Sequence, residues 1–461
     1  MSLLCFIEEM ITIPKREYDQ LRSDLSFALS LIEELQTEIR LLKNGRKSDT
    51  SSTPSSQDYS RSHKNNSREK TGRNPGGQQG HKGTSLKMTS NPDEVVKYVP
   101  SFCGNCGEEL DKSIPQLEKR RQEIVIPPII PKYIEHQSYS CVCRNCNNKV
   151  IGEMPNRLTA NIQYGKNVQA LVTYLSVYQY LPSNRLKLFM KDVLNLPISE
   201  GTIFNILESM SKKAAPVYQE IKSRVASSKV VGSDETGAHL NKDKMWFWVF
   251  QNKSLTFILA SLSRGYQTIV DTFSEGFPLS VYVSDSLAAQ LKINTMAKQL
   301  CLAHLMRELK NFEKSFDSQW AGELKQLFKN AIDYEKTMNI IDYSKSNARV
   351  KYFEQQLSTL LAKEIEGRHK KEATFVKRLI KNRDSILTFL HIQEVPPDNN
   401  GSERAIRNVK VKMKISNQFK SLEFAQYYAV IRSVIDTTIK NSRNVFEALT
   451  NLANQELLTA E

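Results

Sequence analysis

Two pairs of cysteines constrain this chain more than any other feature. Cys103 and Cys106 form one Cys-x-x-Cys pair and Cys143 and Cys146 form another, and a two-residue gap lets neighbouring sulfurs reach a single ion at tetrahedral angles. Five of the seven cysteines fall between Cys103 and Cys146, a clustering that argues for metal, because so few in 461 residues cannot staple a disulfide scaffold. The pattern predicts one structural Zn2+ held by the four paired thiolates, folding a module over residues 100–152 and leaving no open coordination position. The 36 residues between the pairs exceed an ordinary ribbon loop and carry strand-like sequence (QEIVIPPII, KYIEHQSYSCV), so strands should hang on the metal. Cys141 competes for one ligand place although Cys141-x-Cys143 is tighter than ideal, His136 reads as a strand residue, and unligated buried thiols are the alternative to any metal.

What precedes the module has two different characters. Tyr18, Leu21, Leu25, Ala28, Ile32, Leu35, Ile39 and Leu42 alternate steps of three and four, which predicts a coiled-coil helix within residues 1–44 and self-association through it. Leu29 and Leu31 widen the seam enough for a bundle or higher oligomer, and packing on the same chain is the competing reading. Residues 45–99 almost lack aliphatic side chains and cannot repay the entropy of ordering, so they read as a linker. Between Gly45 and Lys87 nine Lys or Arg face three acids, which suits loose phosphate contact as well as solvation. The whole chain carries +14, favouring a polyanionic partner, with nucleic acid the first candidate. No window is apolar enough to span a membrane, and Glu8 and Glu9 stand where a secretory signal would be apolar, so the expected location is the cytoplasm.

After the module the hydrophobic period is helical over residues 153–228. The segment SNRLKLFMKDVLNLPISEGTIFNILESM predicts helix, turn and helix, with Ser183 and Ser199 as caps; it fits a helix-turn-helix reader of DNA or a plain helical hairpin in the core. At Lys229 the period changes. KVVGSDETG, MWFWVF, LTFILA and LSVYVSD are short strand-like runs and SRGYQTIVDTF reads as a helix, giving a mixed α/β core over 229–304. Residues 305–394 are helical and charge-laced, and Pro396-Pro397 halts them before a last basic helical part, 395–461. The fold class is therefore multidomain α+β.

Asp234 closes VVGSD and Asp285 closes VYVSD, each after a strand-like run, where an open α/β sheet binds its ligands. Glu403 opens a helix that also bears Arg404, Arg407, Lys410, Lys412 and Lys414. Two Asp and a Glu brought together can hold two Mg2+ about 4 Å apart for in-line phosphoryl displacement, and the basic residues beside them would grip a phosphate backbone. Asp398 is the rival third carboxylate, otherwise a turn residue before Asn399-Asn400.

These segments, with GRNPGGQQGHKG, YLPSNRL, VSDSLAAQ, CLAHLMREL and DNNGSERAIRNVKVKMK, make the chain resemble the insertion-sequence-66 type of bacterial transposase, the large subunit of that group, over nearly its whole length. The resemblance implies a ribonuclease-H-like core with a helical insertion and an Asp-Asp-Glu triad at Asp234, Asp285 and Glu403, served by Mg2+ or Mn2+. It also implies element ends and target DNA as substrates, small accessory transposition proteins as partners, and a place at the nucleoid. His304 matches a Cys-x-Ala-His motif of that family and reads as a core residue or a neighbour of the site; Trp is usual in the family where Leu302 stands and near Gln418. A DNA-binding regulator without catalysis and a nuclease acting on RNA hybrids or repair intermediates are the competing functions.

Overall fold

The structure is a computed structural model that describes residues 13–45, 80, 82, 86–110, 116–158, 160–343, 347–364 and 369–455. The chain divides into two compact units, Arg61–Lys132 and the remainder, Met1–Ser60 with Tyr133–Glu461. Most of the expected linker and the GRNPGGQQGHKG segment lie outside the described residues.

In the larger unit, helix α1 (Lys15–Gly45) carries the apolar seam, and from Tyr18 to Ile39 its large apolar side chains are exposed. Strands β1 (Ser140–Val142) and β2 (Lys149–Ile151) pair antiparallel around the Cys143–Cys146 turn, with Cys141 opposite Val150. Helices α2 (Lys166–Thr173), α3 (Ser183–Leu194) and α4 (Glu200–Ala226) follow, α2 running on into a π-turn at Tyr174–Tyr178. Ser199 caps α4, its hydroxyl accepting the Thr202 N–H at 3.0 Å. Ser183 does not cap α3: it is the first helical residue after Pro182, and its hydroxyl donates to Glu200 Oε2 at 2.6 Å, joining the starts of the two helices.

The central sheet has strands β3 (Val230–Leu240), β4 (Asp243–Gln251), β5 (Thr256–Ser261), β6 (Phe277–Ser284) and β7 (Thr295–Leu300) in the order β5-β4-β3-β6-β7. β3, β4 and β5 are an antiparallel meander, whereas β6 and β7 run parallel to β3. A two-residue turn with Asn241 at φ 53° joins β3 to β4, using the tolerance of Asn for left-handed backbone. Short helices α5 (Tyr266–Thr272) and α6 (Ala288–Leu291) connect the strands. From β7 the chain enters α7 (Leu302–Phe316), α8 (Gln319–Glu335), α9 (Ala348–Ala362) and α10 (Lys370–Lys381), then α11 (Asn400–Ser416), α12 (Leu422–Lys440) and α13 (Val445–Asn454).

Both faces of the sheet are covered, and β6 shows how. Val281 and Val283 belong to the apolar cluster built by α7–α10, while Tyr282 between them belongs to the other cluster, formed with α2–α4 and α11–α13. Alternation along one strand thus feeds two cores. Helix α4 supplies Ile203, Leu207, Met210, Ala214, Ile221 and Val225 to the second core, so residues 153–228 share their interior with the sheet. Leu302, where the resembling family carries Trp, is fully buried among α7–α10. β7 escapes the sequence reading because TMAKQL lacks the β-branched density of its neighbours; its strand identity comes from pairing with β6.

Candidate active site

Asp234 is not at the end of its strand. β3 continues six residues further because the β4 hairpin pairs with it, Asp234 standing opposite Val249. The parallel partner, however, leaves β3 after Gly232, and β6 ends at Ser284, so Asp234 and Asp285 both lie just beyond the carboxyl end of the parallel pair. Burial, then the charges of Glu235 and Asp285, push the Asp234 carboxyl well above the usual carboxylate range; the Glu235 N–H, 2.9 Å from Oδ1, and Lys410 oppose them only in part. Asp285 Oδ1 accepts the Leu287 N–H at 2.9 Å.

Glu403, 8 % exposed, sits in the first turn of α11. Arg307 of α7 donates to its Oε1 at 3.1 Å, His304 Nδ1 lies 3.7 Å from the same oxygen, and Arg407 reaches Oε2 at 3.9 Å. Burial and Arg307 lower the His304 pKa, against the opposing pull of Glu403 and Asp285. Lys410 feels both Asp234 and Glu403, so a cation bridges the field between the first and third carboxylates. Among the described residues the one group of three metal-ligating side chains with all ligand atoms within 4.8 Å is Cys301, His304 and Glu403; the three sequence-predicted carboxylates are not drawn that close.

The first turn of α11 is locked to the sheet by buried polar contacts. Asn399, 2 % exposed, donates from Nδ2 to the Ser233 carbonyl at 2.6 Å and from its backbone N–H to Cys301 Sγ at 3.2 Å, while its Oδ1 accepts from Ser402 Oγ at 2.7 Å. One side chain and its backbone therefore tie together β3 beside Asp234, the β7–α7 junction and the helix of Glu403. Gln251 donates to Ser402 Oγ at 3.3 Å and is itself held by the Lys440 ammonium at 2.7 Å. The approach is close: a Cβ on Gly232 or Gly401 would stand 2.4 or 2.6 Å from Gln251 Nε2, so either substitution would make the Gln251 amide move. Asp398 spends its carboxylate on the turn, accepting the Asn400 N–H at 2.9 Å and the Asn400 amide at 2.6 Å. Spacing alone distinguishes neither Asn399 from a turn residue nor Asp398 from Glu403; burial does.

The five basic residues of α11 do not share one face. Arg407, Lys410 and Lys414 continue the stripe that begins at Glu403, with Arg404, Arg407 and Lys414 exposed. Lys412 instead lies half-buried in line with the buried Ala405 and Val409, and partial burial pushes its ammonium down to about 8. Sequence reading also passes over Glu235. Its side chain is 3 % exposed and receives Arg264 at 2.5 Å and Gln290 at 3.2 Å, with Arg264 stacked 5.0 Å from the Trp246 ring centre. Next to Asp234 in the strand, it adds a fourth carboxylate whose charge helps raise the Asp234 pKa.

The two Cys pairs have matching local geometry, each seen within its own unit. The Cys103 N–H donates to the Glu108 carbonyl at 2.8 Å and the Gly107 N–H returns to the Cys103 carbonyl at 3.0 Å; Cys143 with Asn148 and Asn147 repeats this at 2.8 Å twice. Gly107 and Asn147, each just after the second cysteine, are left-handed at φ 75° and 60°. The backbone N–H groups of Cys106 and then Asn105, and of Cys146 and then Asn145, point at the first sulfur and lower its pKa, the arrangement that stabilises a thiolate. Among the described residues no helix is long and apolar enough to cross a membrane.

A family model described as transposase IS66 family matches residues 161–427, from before α2 into α12, and so takes in the sheet, the helical insertion and all three carboxylates. The search of curated proteins returned no match.

Proposed function

The chain belongs to the IS66 family of transposases, DNA-processing enzymes, and from that premise we propose that it cleaves element ends and joins their 3′-hydroxyls to target DNA at Asp234, Asp285 and Glu403. The observation that carries the reading is the position of the three carboxylates: two just past the carboxyl ends of adjacent parallel strands and one on a helix locked across β3. The strand order, with an antiparallel meander followed by two parallel strands, suits a ribonuclease-H-like core, and the insertion falls between β7 and the helix of the last carboxylate.

The site fits hard divalent cations. Its donors are carboxylate oxygens, and Asp234, raised first by burial and then by the charges of Glu235 and Asp285, is a carboxylate that bound cations would stabilise in its charged form. Such ions, when bound, lower the pKa of an attacking hydroxyl and take up charge on the leaving oxygen. The chain's own residues do the rest. Arg307 holds the Glu403 carboxylate from α7, Asn399 and Ser402 fix the turn that carries it, and Asp285 is anchored by the Leu287 N–H. Arg404, Arg407 and Lys414 present exposed charge for backbone phosphates, with Lys410 placed closer to the acids. Water is the first nucleophile and the freed 3′-hydroxyl the second, so no covalent enzyme intermediate is needed.

The matching turns at the two Cys pairs support one structural Zn2+ on Cys103, Cys106, Cys143 and Cys146, and the exposed seam of α1 supports self-association that would bring two element ends together. The test of the central reading uses end-containing DNA with Asp234→Asn, Asp285→Asn, Glu403→Gln and Asp398→Asn. The first three should lose cleavage and strand transfer while still binding the ends, and Asp398→Asn should keep activity. Full activity of Glu403→Gln with loss in Asp398→Asn would overturn the assignment of the third carboxylate.

A further inference from the structure

Cys301 lies at the head of α7, 1 % exposed, and the catalytic reading gives it no task. Its sequence neighbourhood, Cys301-Leu302-Ala303-His304, has the same two-residue gap as the Cys pairs. The likeness to the Cys pairs ends at the spacing: Cys301 caps a helix, the His304 N–H donating to its carbonyl at 3.1 Å, and burial pushes the thiol up to about 11, so a bound ion would have to displace its proton. The Asn399 N–H reaches the Cys301 sulfur at 3.2 Å. Glu403 supplies an oxygen as third donor, and the ligand atoms of the three residues all lie within 4.8 Å of one another. The His304 Nδ1 to Glu403 Oε1 distance of 3.7 Å is near the roughly 3.4 Å edge expected for N and O ligands about 2.1 Å from a tetrahedral ion.

We propose that Cys301, His304 and Glu403 form a binding site for a borderline-soft divalent cation of the Zn2+ class, separate in chemistry from the carboxylate site for hard cations. A thiolate and an imidazole select Zn2+ or Co2+ over Mg2+, and three protein ligands leave a fourth position open to water. Arg307 is the cation that occupies the Glu403 oxygens in this structure, at 3.1 and 3.5 Å, and being partly exposed it can yield to a metal by turning outward. The binding claim stands without the catalytic reading. Its consequence rests on it: an ion that takes Glu403 withdraws the third carboxylate from Mg2+, so Zn2+ occupancy and DNA cleavage exclude each other.

The experiment is Zn2+ uptake by the metal-stripped full chain, with Co2+ as a spectroscopic probe through its thiolate charge-transfer band. Cys301→Ser and His304→Gln should each bind one Zn2+ fewer than the parent chain, and the Co2+ band should lose intensity in Cys301→Ser. Arg307→Gln should bind the ion at least several-fold more tightly by removing the competing charge. Because Cys301 is buried, His304→Gln serves as the independent variant if Cys301→Ser fails to fold. Unchanged stoichiometry in folded His304→Gln overturns the proposal. So does loss of the ion in Asp234→Asn or Asp285→Asn with retention in His304→Gln, which would place it among the carboxylates. If Glu403→Gln remains active in cleavage, the catalytic reading fails while the uptake result still decides this one.

Discussion

The two ends of α11 are built on opposite principles. Its first turn is pinned by buried polar groups: Asn399 and Ser402 have almost no exposure, and Gly401 lets the backbone approach Gln251 closely. Its later turns carry Arg404, Arg407 and Lys414 in solvent, and Arg407 touches an acid only at 3.9 Å. A carboxylate that must hold a fixed geometry needs its partners pre-ordered, because a loosely held group loses the advantage of position. Phosphate contact needs charge within reach, and long flexible side chains supply that without a rigid frame.

The largest effect should come from removing charge at the rigid end. Glu403→Gln, Asp234→Asn and Asp285→Asn are expected to lower strand cleavage by at least about 10²–10³-fold with end binding retained, measured on labelled end DNA. Next come the supports of that end. Asn399→Ala strips the Ser233 carbonyl and the Ser402 hydroxyl of buried partners, for a cost of about 1–3 kcal/mol in denaturant unfolding. Its cleavage rate should fall while DNA affinity holds, and an equal loss of both would mean that Asn399 serves stability alone. Gly401→Ala should cost less, under about 1 kcal/mol, because the Gln251 amide can move aside and Ala favours the helix.

Lys412 tests the boundary between the two ends. Its folded pKa, pushed down to about 8 by burial, lies below the ordinary lysine value, so the unfolded chain binds the extra proton between those two pH values. Stability from this group should therefore rise with pH through that window and be lowest below about 8. Lys412→Met should raise stability near neutral pH by roughly 1 kcal/mol, well under the full linkage value because the side chain keeps some water contact, and should flatten the alkaline rise. The smallest effects belong to the open end. Neutralising Arg404, Arg407 or Lys414 singly should reduce the slope of log affinity against log salt by about one each, whereas Lys412→Met should leave that slope unchanged. A slope change for Lys412→Met equal to that for Lys414→Ala would erase the distinction drawn between half-buried and exposed stripes.

Much of this was open to reading without coordinates. Asp234 and Asp285 stand out because each follows a β-branched run and precedes small or polar residues, a local pattern that survives even though β3 runs on past Asp234. The matching turns at the Cys pairs follow from their spacing and from the Gly and Asn placed after each second cysteine. β7 stays hidden because nothing in Thr295–Leu300 prefers a strand until β6 offers its edge. Asn399 stays hidden because Asn-Asn-Gly spells a turn equally well at a surface and in an interior.

What the sequence determines by itself is whatever depends on neighbours a few residues away: the heptad seam of α1, the cysteine turns, the cap at Ser199, and the presence of Glu403 and five cations along a single helix. The order of those cations around α11 also follows from its period. Which side of the helix meets the sheet does not, because helical phase is periodic and carries no origin; the origin is set when Asn399 and Gly401 seat the first turn against β3 and β4. Only that long-range docking decides that Glu403 faces Arg307 and His304, that Lys412 is half-buried, and that Cys301, 102 residues earlier, comes within reach of Glu403.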